Sequence, residues 1–265
     1  MILSVENYHS KEANQEYLSV SQYKDFCGSL GKVPCEAQAL AKLSGEWITD
    51  KTTALLVGSY VDAHFEESLG LFKASNSEIF TKSGDLKADY RNAENVICRI
   101  ERDAYMMQYL SGQKQVIMTG EIAGAKVKIK IDSYLPGQAI VDLKVMKAIK
   151  DTFWVRDTGY MDFVQYWGYD IQGAVYQEIV RQNTGEKLPF FIAAASKEKE
   201  PDINVIFIDD LHLKEKLIEV ESNVAKIFAL KNGDYEPIRC EVCDYCKHTK
   251  VLTKAIHFSE LMGDL

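Results

Sequence analysis

From Val127 to Ile131 apolar residues alternate with lysines. This period of two predicts a β-strand with Val127, Ile129 and Ile131 on one face and Lys130 and Asp132 on the other. Pro136-Gly137 supplies a turn, and the alternation then resumes. In the return strand Ile140, Asp142 and Lys144 share a face opposite Val141, Leu143 and Val145. An antiparallel hairpin closed about that turn sets Asp132 nearly opposite Asp142, where Cβ atoms are about 4.5–5.5 Å apart. Two carboxylates so placed can share one cation, with Lys144 beside them. The plainer alternative is a set of solvent-facing charges on an edge hairpin.

Elsewhere the period is helical. LLVGSYVDAHFEESL predicts a helix carrying His64 near the small Gly58-Ser59 step. FVQYWGYDIQGAVYQEIV predicts another, on which Gln165, Tyr169, Gln172 and Tyr176 form a polar-aromatic stripe facing away from Val164, Trp167, Ile171, Val175 and Ile179. Amides and phenols suit phosphate and base contacts better than they suit a core. Further helices are expected from Ser19 or Ser21 towards Cys27, over 35–43, over 88–110, and from Asp209 or Asp210 to about Leu230. The stretch 73–87 reads as an exposed loop. Strands at 115–122, 126–132 and 139–145 are expected to form the sheet that carries the carboxylates, with two more at 189–195 and 203–208. Helices flanking a mixed sheet give an α/β (α+β) fold.

Four motifs in this order carry a resemblance: G-S-Y-x-D-A-H at 58–64, Ile131-Asp132, D-L-K at 142–144, and Y-D-I-Q-x-x-x-Y at 169–176. Together they resemble the PD-(D/E)xK nucleases with their restriction-endonuclease-like core, and among them the RecE-type (exonuclease VIII-like) phage recombination exonucleases, over most of the chain. The resemblance implies that His64, Asp132, Asp142 and the backbone carbonyl of Leu143 ligate a divalent cation. Such a donor set suits Mg²⁺ or Mn²⁺, the imidazole tilting it towards Mn²⁺. It implies that Lys144 holds the attacking water and offsets charge in the transition state. Gln172 and Tyr176 match the family's helix motif that orients the site and the DNA backbone, with Gln165 and Tyr169 as weaker DNA-contact candidates. The family's first motif usually has proline before the acidic residue, where Ile131 stands here. RecE-like members tolerate that departure.

Charge bears on this reading. The 265-residue chain has a net charge of −8 and a pI near 5.3, which excludes a generally adhesive nucleic-acid binder. Lys126, Lys128, Lys130, Lys144, Lys147 and Lys150 nevertheless cluster in sequence around the carboxylates, so a basic groove in an acidic exterior is expected. The length fits a single domain spanning 1–265, with a Cys-rich segment at about 238–250. With no long apolar run and no basic-plus-apolar leader, a cytoplasmic protein without membrane contact is expected.

Cys240, Cys243 and Cys246 stand as C-x2-C-x2-C, a spacing that reads as metal-binding in a cytoplasmic protein. Cys35 is the leading candidate for the fourth ligand. The wider nuclease superfamily, in the AddB nuclease and CRISPR adaptation nucleases, pins a 4Fe–4S cluster with one N-terminal and three C-terminal cysteines. The last gap is shorter here than in those relatives, which leaves Zn²⁺ open, with Cys35, His248 or His257 completing the site. Three reduced cysteines on a polar tail are the plainer reading. Cys98, within a helical pattern, is expected in the core.

The resemblance thus implies an Mg/Mn-dependent exonuclease that degrades one strand from double-stranded DNA ends, 5′ to 3′ and without ATP. Its product would serve a single-strand annealing partner, and homo-oligomers are possible in this family. No G-x4-G-K-[ST] loop is present. A catalytically silent nuclease fold, or an interaction module clamped by the cysteine metal site, is the alternative.

Overall fold

The computed structural model describes residues 1–259. The chain opens with α1 (Lys11–Glu16), α2 (Val20–Cys27), α3 (Glu36–Ser44), α4 (Thr53–Phe65), α5 (Leu69–Ser75), α6 (Ala88–Glu101) and α7 (Ala104–Tyr109). Strands β1 (Val116–Ile122), β2 (Ala125–Ile131), β3 (Ser133–Leu135) and β4 (Ala139–Met146) follow, then a small hairpin of β5 (Phe153–Val155) and β6 (Gly159–Met161). Helices α8 (Phe163–Tyr166) and α9 (Tyr169–Thr184) lead into β7 (Phe190–Ser196) and β8 (Ile203–Ile208), and α10 (Asp210–Asn232) and α11 (Asp244–His248) come last.

The central sheet is mixed, in the order β3–β4–β7–β8. β4 and β7 are parallel, and β3 and β8 are antiparallel to their neighbours. Both faces of β4 are covered, which is why its sequence is apolar on both parities until Asp142. Val141 and Leu143 pack with Val57, Tyr60, Val61 and Ile97 from α4 and α6. Ile140, Ile192 and Ala194 face the other way, among Val175 and Ile179 of α9 and Val224 and Ile227 of α10. Asp142 and Lys144 share the parity of Ile140, so the strand aims them towards α9.

α9 can lie close to the sheet because position 173 is glycine. A Cβ there would come within 2.7 Å of the Phe190 ring on β7. Burying each large aliphatic side chain of this layer is worth roughly 1.5–3 kcal/mol.

The mixed sheet flanked by helices agrees with the fold expected from the pattern, and several details differ. β1 and β2 form a separate ribbon, with Leu18 bridging β2 at Val127, and the chain bends at Asp132 to enter the central sheet as β3. The expected helix over 88–110 is broken at Arg102-Asp103, where the Asp103 side chain caps α7 by accepting from Met106 N. The stretch 73–87 is not simply an exposed loop: α5 extends into it, and Asn76 and Ile79 are buried. Cys98 is exposed, since the buried stripe of α6 runs through Ala93, Val96, Ile97 and Ile100. Lys128 is fully buried although it lies on the polar face of the alternation, because Tyr8 and Asn14 cover that face of β2. Its ammonium donates to Tyr8 O and Asn14 Oδ1. Among the described residues no helix is long and apolar enough to cross a membrane.

Candidate active site

Asp132 and Asp142 meet as the hairpin pattern predicts. The β3–β4 register pairs Ser133 with Val141, and one step further along it sets Asp132 against Asp142. Asp132 Oδ2 accepts from Leu143 N at 3.0 Å, which ties the bend to β4. Asp142 is 2% exposed. Its Oδ1 accepts from Gln172 Nε2 at 2.6 Å, and its Oδ2 lies 2.5 Å from Lys144 Nζ. That second contact is charge without alignment, since Oδ2 has no hydrogen-bond partner and Lys144 instead donates to the Leu143 carbonyl at 3.3 Å.

Helix α9 contributes Tyr169, Gln172 and Tyr176. The Tyr176 hydroxyl donates to Lys130 O at 2.9 Å, fastening the helix to β2. Lys144 Nζ lies 5.2 Å from the centre of the Tyr169 ring, in cation–π range. Gln165 does not join this stripe. The helix breaks at Gly168, whose left-handed φ of 63° favours glycine, and Gln165 sits on the separate turn α8 capped by Asp162.

These groups line a cleft of about 440 Å³ whose other wall carries Asp62, Glu66, Lys24, Lys42, Lys128 and Lys130. Burial raises the Asp132 carboxyl well above the usual carboxylate range, and the Asp142 charge adds to it. Burial likewise pushes Asp62 up to about 7, opposed by Lys144 and reinforced by Glu66 and Asp142. Burial disfavours the Lys144 charge, but Asp142 and Asp132 outweigh it and hold the ammonium above its ordinary pKa.

His64 is not brought to this cluster. It lies two residues from Asp62, about 200° around α4, and its Nε2 is 2.8 Å from Glu101 Oε1. The side chain that α4 does deliver is Asp62. The signal was the polar stripe Ser59, Asp62 and Glu66 at helical spacing, which lines the cleft region beside Lys130. Of the clustered lysines, Lys128, Lys130 and Lys144 reach the cleft. Lys126 pairs with Glu16, and Lys147 and Lys150 point to solvent. Lys24 and Lys42, from α2 and α3, were not foreseen.

A D-x-K step on a parallel strand, an aspartate opposing it across the hairpin and a glutamine on the following helix are the core of one fold family. The chain belongs to the PDDEXK-like family. The profile described as "PDDEXK-like domain of unknown function (DUF3799)" matches residues 19–249. A crystal structure described as a "Putative exonuclease" from Eubacterium rectale is similar to it at 62% identity and a TM-score of 0.98, with 100% of each chain covered. No curated protein matches it.

The PDDEXK-like core has a second cluster attached. Sγ atoms of Cys35, Cys240, Cys243 and Cys246 all lie within 4.8 Å of one another, with Cys35 and Cys246 buried. Cys35 is the N-cap of α3, and backbone N–H groups of Gln38, Cys243 and Cys246 point at three of the sulfurs. Cys35 is therefore the fourth member, whereas the His248 ring packs against Trp47 and His257 lies outside the quartet.

Proposed function

We propose that this protein is a metal-dependent DNA exonuclease of the RecE type. It would hydrolyse phosphodiester bonds from double-stranded ends, 5′ to 3′ and without ATP, and hand a single strand to an annealing protein in phage-type recombination. The observation that carries the nuclease reading is the buried Asp142. One of its oxygens is held by Gln172, the other meets the Lys144 ammonium at 2.5 Å, and the charges of Asp132 and Asp62 act on the same spot. Buried carboxylates that share a single ammonium carry more negative charge than it offsets, and a bound cation would relieve that excess. Polarity and the recombination role rest on the sequence resemblance.

Asp132 and Asp142, with Asp62 on the facing wall of the cleft, have the donor type of an oxygen-seeking cation and would hold Mg²⁺ or Mn²⁺. When bound, the ion would supply Lewis acidity to the phosphate and a more acidic water. The protein's own groups divide the remaining work. Leu143 N and Gln172 fix the orientation of the two hairpin carboxylates. Lys144 is kept cationic by those carboxylates, so it acts as a donor: it orients the attacking water and offsets charge growing on the phosphate oxygens. Tyr169 and Tyr176 hold Lys144 and the β2 backbone on the α9 side of the cleft.

The cysteine quartet supports a Zn²⁺ reading over 4Fe–4S. A tetrahedral ion with Zn–S bonds of about 2.3 Å holds its sulfurs roughly 3.8 Å apart. The observed Cys35–Cys246 and Cys240–Cys246 separations are 3.5 and 4.0 Å. A cube of irons and sulfides would hold the four thiolates further apart. The site would staple the C-terminal segment to α3, whose Lys42 lines the cleft.

The test is digestion of end-labelled linear and closed circular double-stranded DNA with Mg²⁺ or Mn²⁺, comparing wild type with Asp142→Ala and Lys144→Ala. Cleavage of linear DNA alone, lost in both variants by more than about 10²-fold, is expected. Wild-type protein that leaves both DNAs intact with either metal would sink the catalytic reading and favour the binding module.

A further inference from the structure

The β5–β6 hairpin presents an aromatic pair that nothing among the described residues covers. Its register sets Trp154 directly opposite Tyr160. Alternation turns Phe153, Val155 and Met161 inward and these two outward, where they are 67% and 71% exposed. Their ring centroids are 5.2 Å apart. Single exposed aromatics are ordinary. Two large rings opposed across strands of three residues form a patch that the fold itself does not use.

The inner face of the hairpin leads to the active cleft through a line of contacts. Phe153 stacks on Tyr166 with centroids 4.1 Å apart and planes 10° from parallel, and meets Trp167 edge-on. The Trp167 carbonyl accepts from Lys24 at 3.0 Å, and Lys24 lies 5.3 Å from the Tyr169 ring that Lys144 also approaches. Trp167 is itself 41% exposed. Between β4 and the hairpin tip Lys147 pairs with Asp151 and Arg156 with Asp157, which leaves Lys150 as the remaining cation of that stretch.

Resting on the nuclease reading above, we infer that this hairpin is a stacking platform for an unpaired DNA strand. A strand passing Lys24 and Tyr169 at the cleft meets Trp167 and then the Trp154–Tyr160 pair, on which its bases stack, with Lys24 as the cation on that path. Ring faces accept any base, as an enzyme without sequence preference requires. The platform holds the separated strand away from the cutting site and favours tailed ends over blunt ones.

The experiment is fluorescence anisotropy without added divalent cation, using a labelled single-stranded oligonucleotide, a blunt duplex and a duplex with a single-stranded tail. Wild type is compared with Trp154→Ala/Tyr160→Ala and Trp154→Phe/Tyr160→Phe. The alanine pair is expected to weaken single-strand and tailed-duplex binding by roughly tenfold or more. Blunt-duplex binding and the unfolding midpoint should stay as in wild type, and the phenylalanine pair should keep most of the affinity. Unchanged single-strand affinity in the alanine pair overturns the inference, as does equal loss in the phenylalanine pair. If light scattering shows that the alanine pair abolishes self-association and leaves DNA binding intact, the patch is a contact between copies and the inference fails. Failure of the nuclease reading is seen separately, as a wild type that cuts no DNA when Mg²⁺ or Mn²⁺ is added.

Discussion

Asp62→Asn should make the protein more stable in buffer without Mg²⁺ or Mn²⁺ while removing its cleavage activity. The carboxyl of Asp62 is raised from 3.8 to about 7, chiefly by burial. About three units at 1.36 kcal/mol each set a ceiling of roughly 4 kcal/mol for the cost of ionising it in the fold. Asp62 is half-buried rather than enclosed, so solvent screening reduces that to about 2 kcal/mol. The sign follows from proton uptake. With a folded pKa above the unfolded one, the folded state holds the extra proton, so its stabilisation is complete below about pH 4 and is lost as pH rises towards 7. The isosteric amide carries no such penalty. Urea unfolding at pH 4 and pH 8 should therefore show Asp62→Asn exceeding wild type by under about 1 kcal/mol at the lower pH and about 2 kcal/mol at the higher. Added Mg²⁺ or Mn²⁺ should then stabilise wild type more than the variant. A difference that does not change with pH, or a variant that unfolds before wild type at pH 8, would refute the placement of Asp62 among mutually repelling, desolvated carboxylates.

His64→Ala should leave DNA cleavage unchanged and cost under about 1 kcal/mol in urea unfolding, because it removes only a half-exposed pair with Glu101. Gly173→Ala should destabilise by about 1–3 kcal/mol and lower cleavage as well, since its methyl group would push α9, and Gln172 with it, off the sheet at Phe190. Unaltered activity in that variant would mean that the Gln172–Asp142 contact does not matter. Cys243→Ser should lose bound zinc by elemental analysis and lower the thermal midpoint, with any activity loss tracking unfolding of the α3 wall.

The parts of the site legible in the sequence were those set by strict periodicity. A period of two about the Pro-Gly turn sets Asp132 against Asp142 and turns Leu143 to the other face, and this survives the bend at Asp132 that leaves Ile131 in the β1–β2 ribbon. The helix stripe Tyr169, Gln172 and Tyr176 was legible for the same reason. What was missed turns on choices that period alone does not make. On α4 both Asp62 and His64 are polar, and only packing against α6 decides that His64 faces Glu101 while Asp62 faces the cleft. The apolar pattern predicts a continuous helix through Gly168 because nothing in it registers a left-handed residue. The two lysines from α2 and α3 were invisible because their approach to the cleft depends on contacts between distant segments.

Those lysines also explain how an acidic chain can hold a basic cleft. Several lysines outside it are cancelled in place: Lys126 by Glu16, Lys226 by Glu36, Lys73 by Glu94. In the cleft Lys42 is likewise paired, with Asp25, but three other lysines in and behind it meet only neutral oxygens. Lys24 donates to the Trp167 carbonyl, Lys128 to Tyr8 O and Asn14 Oδ1, and Lys231 to Asn14 O, Tyr17 O and Gln22 Oε1. Carbonyl and amide oxygens solvate an ammonium without neutralising it. Burial lowers each of the three to about 8, which still leaves them mainly charged at neutral pH. Net charge is therefore a poor guide to this surface: the −8 of the whole chain is compatible with a cleft whose uncancelled cations stand opposite the carboxylates, where a phosphate strand would have to lie.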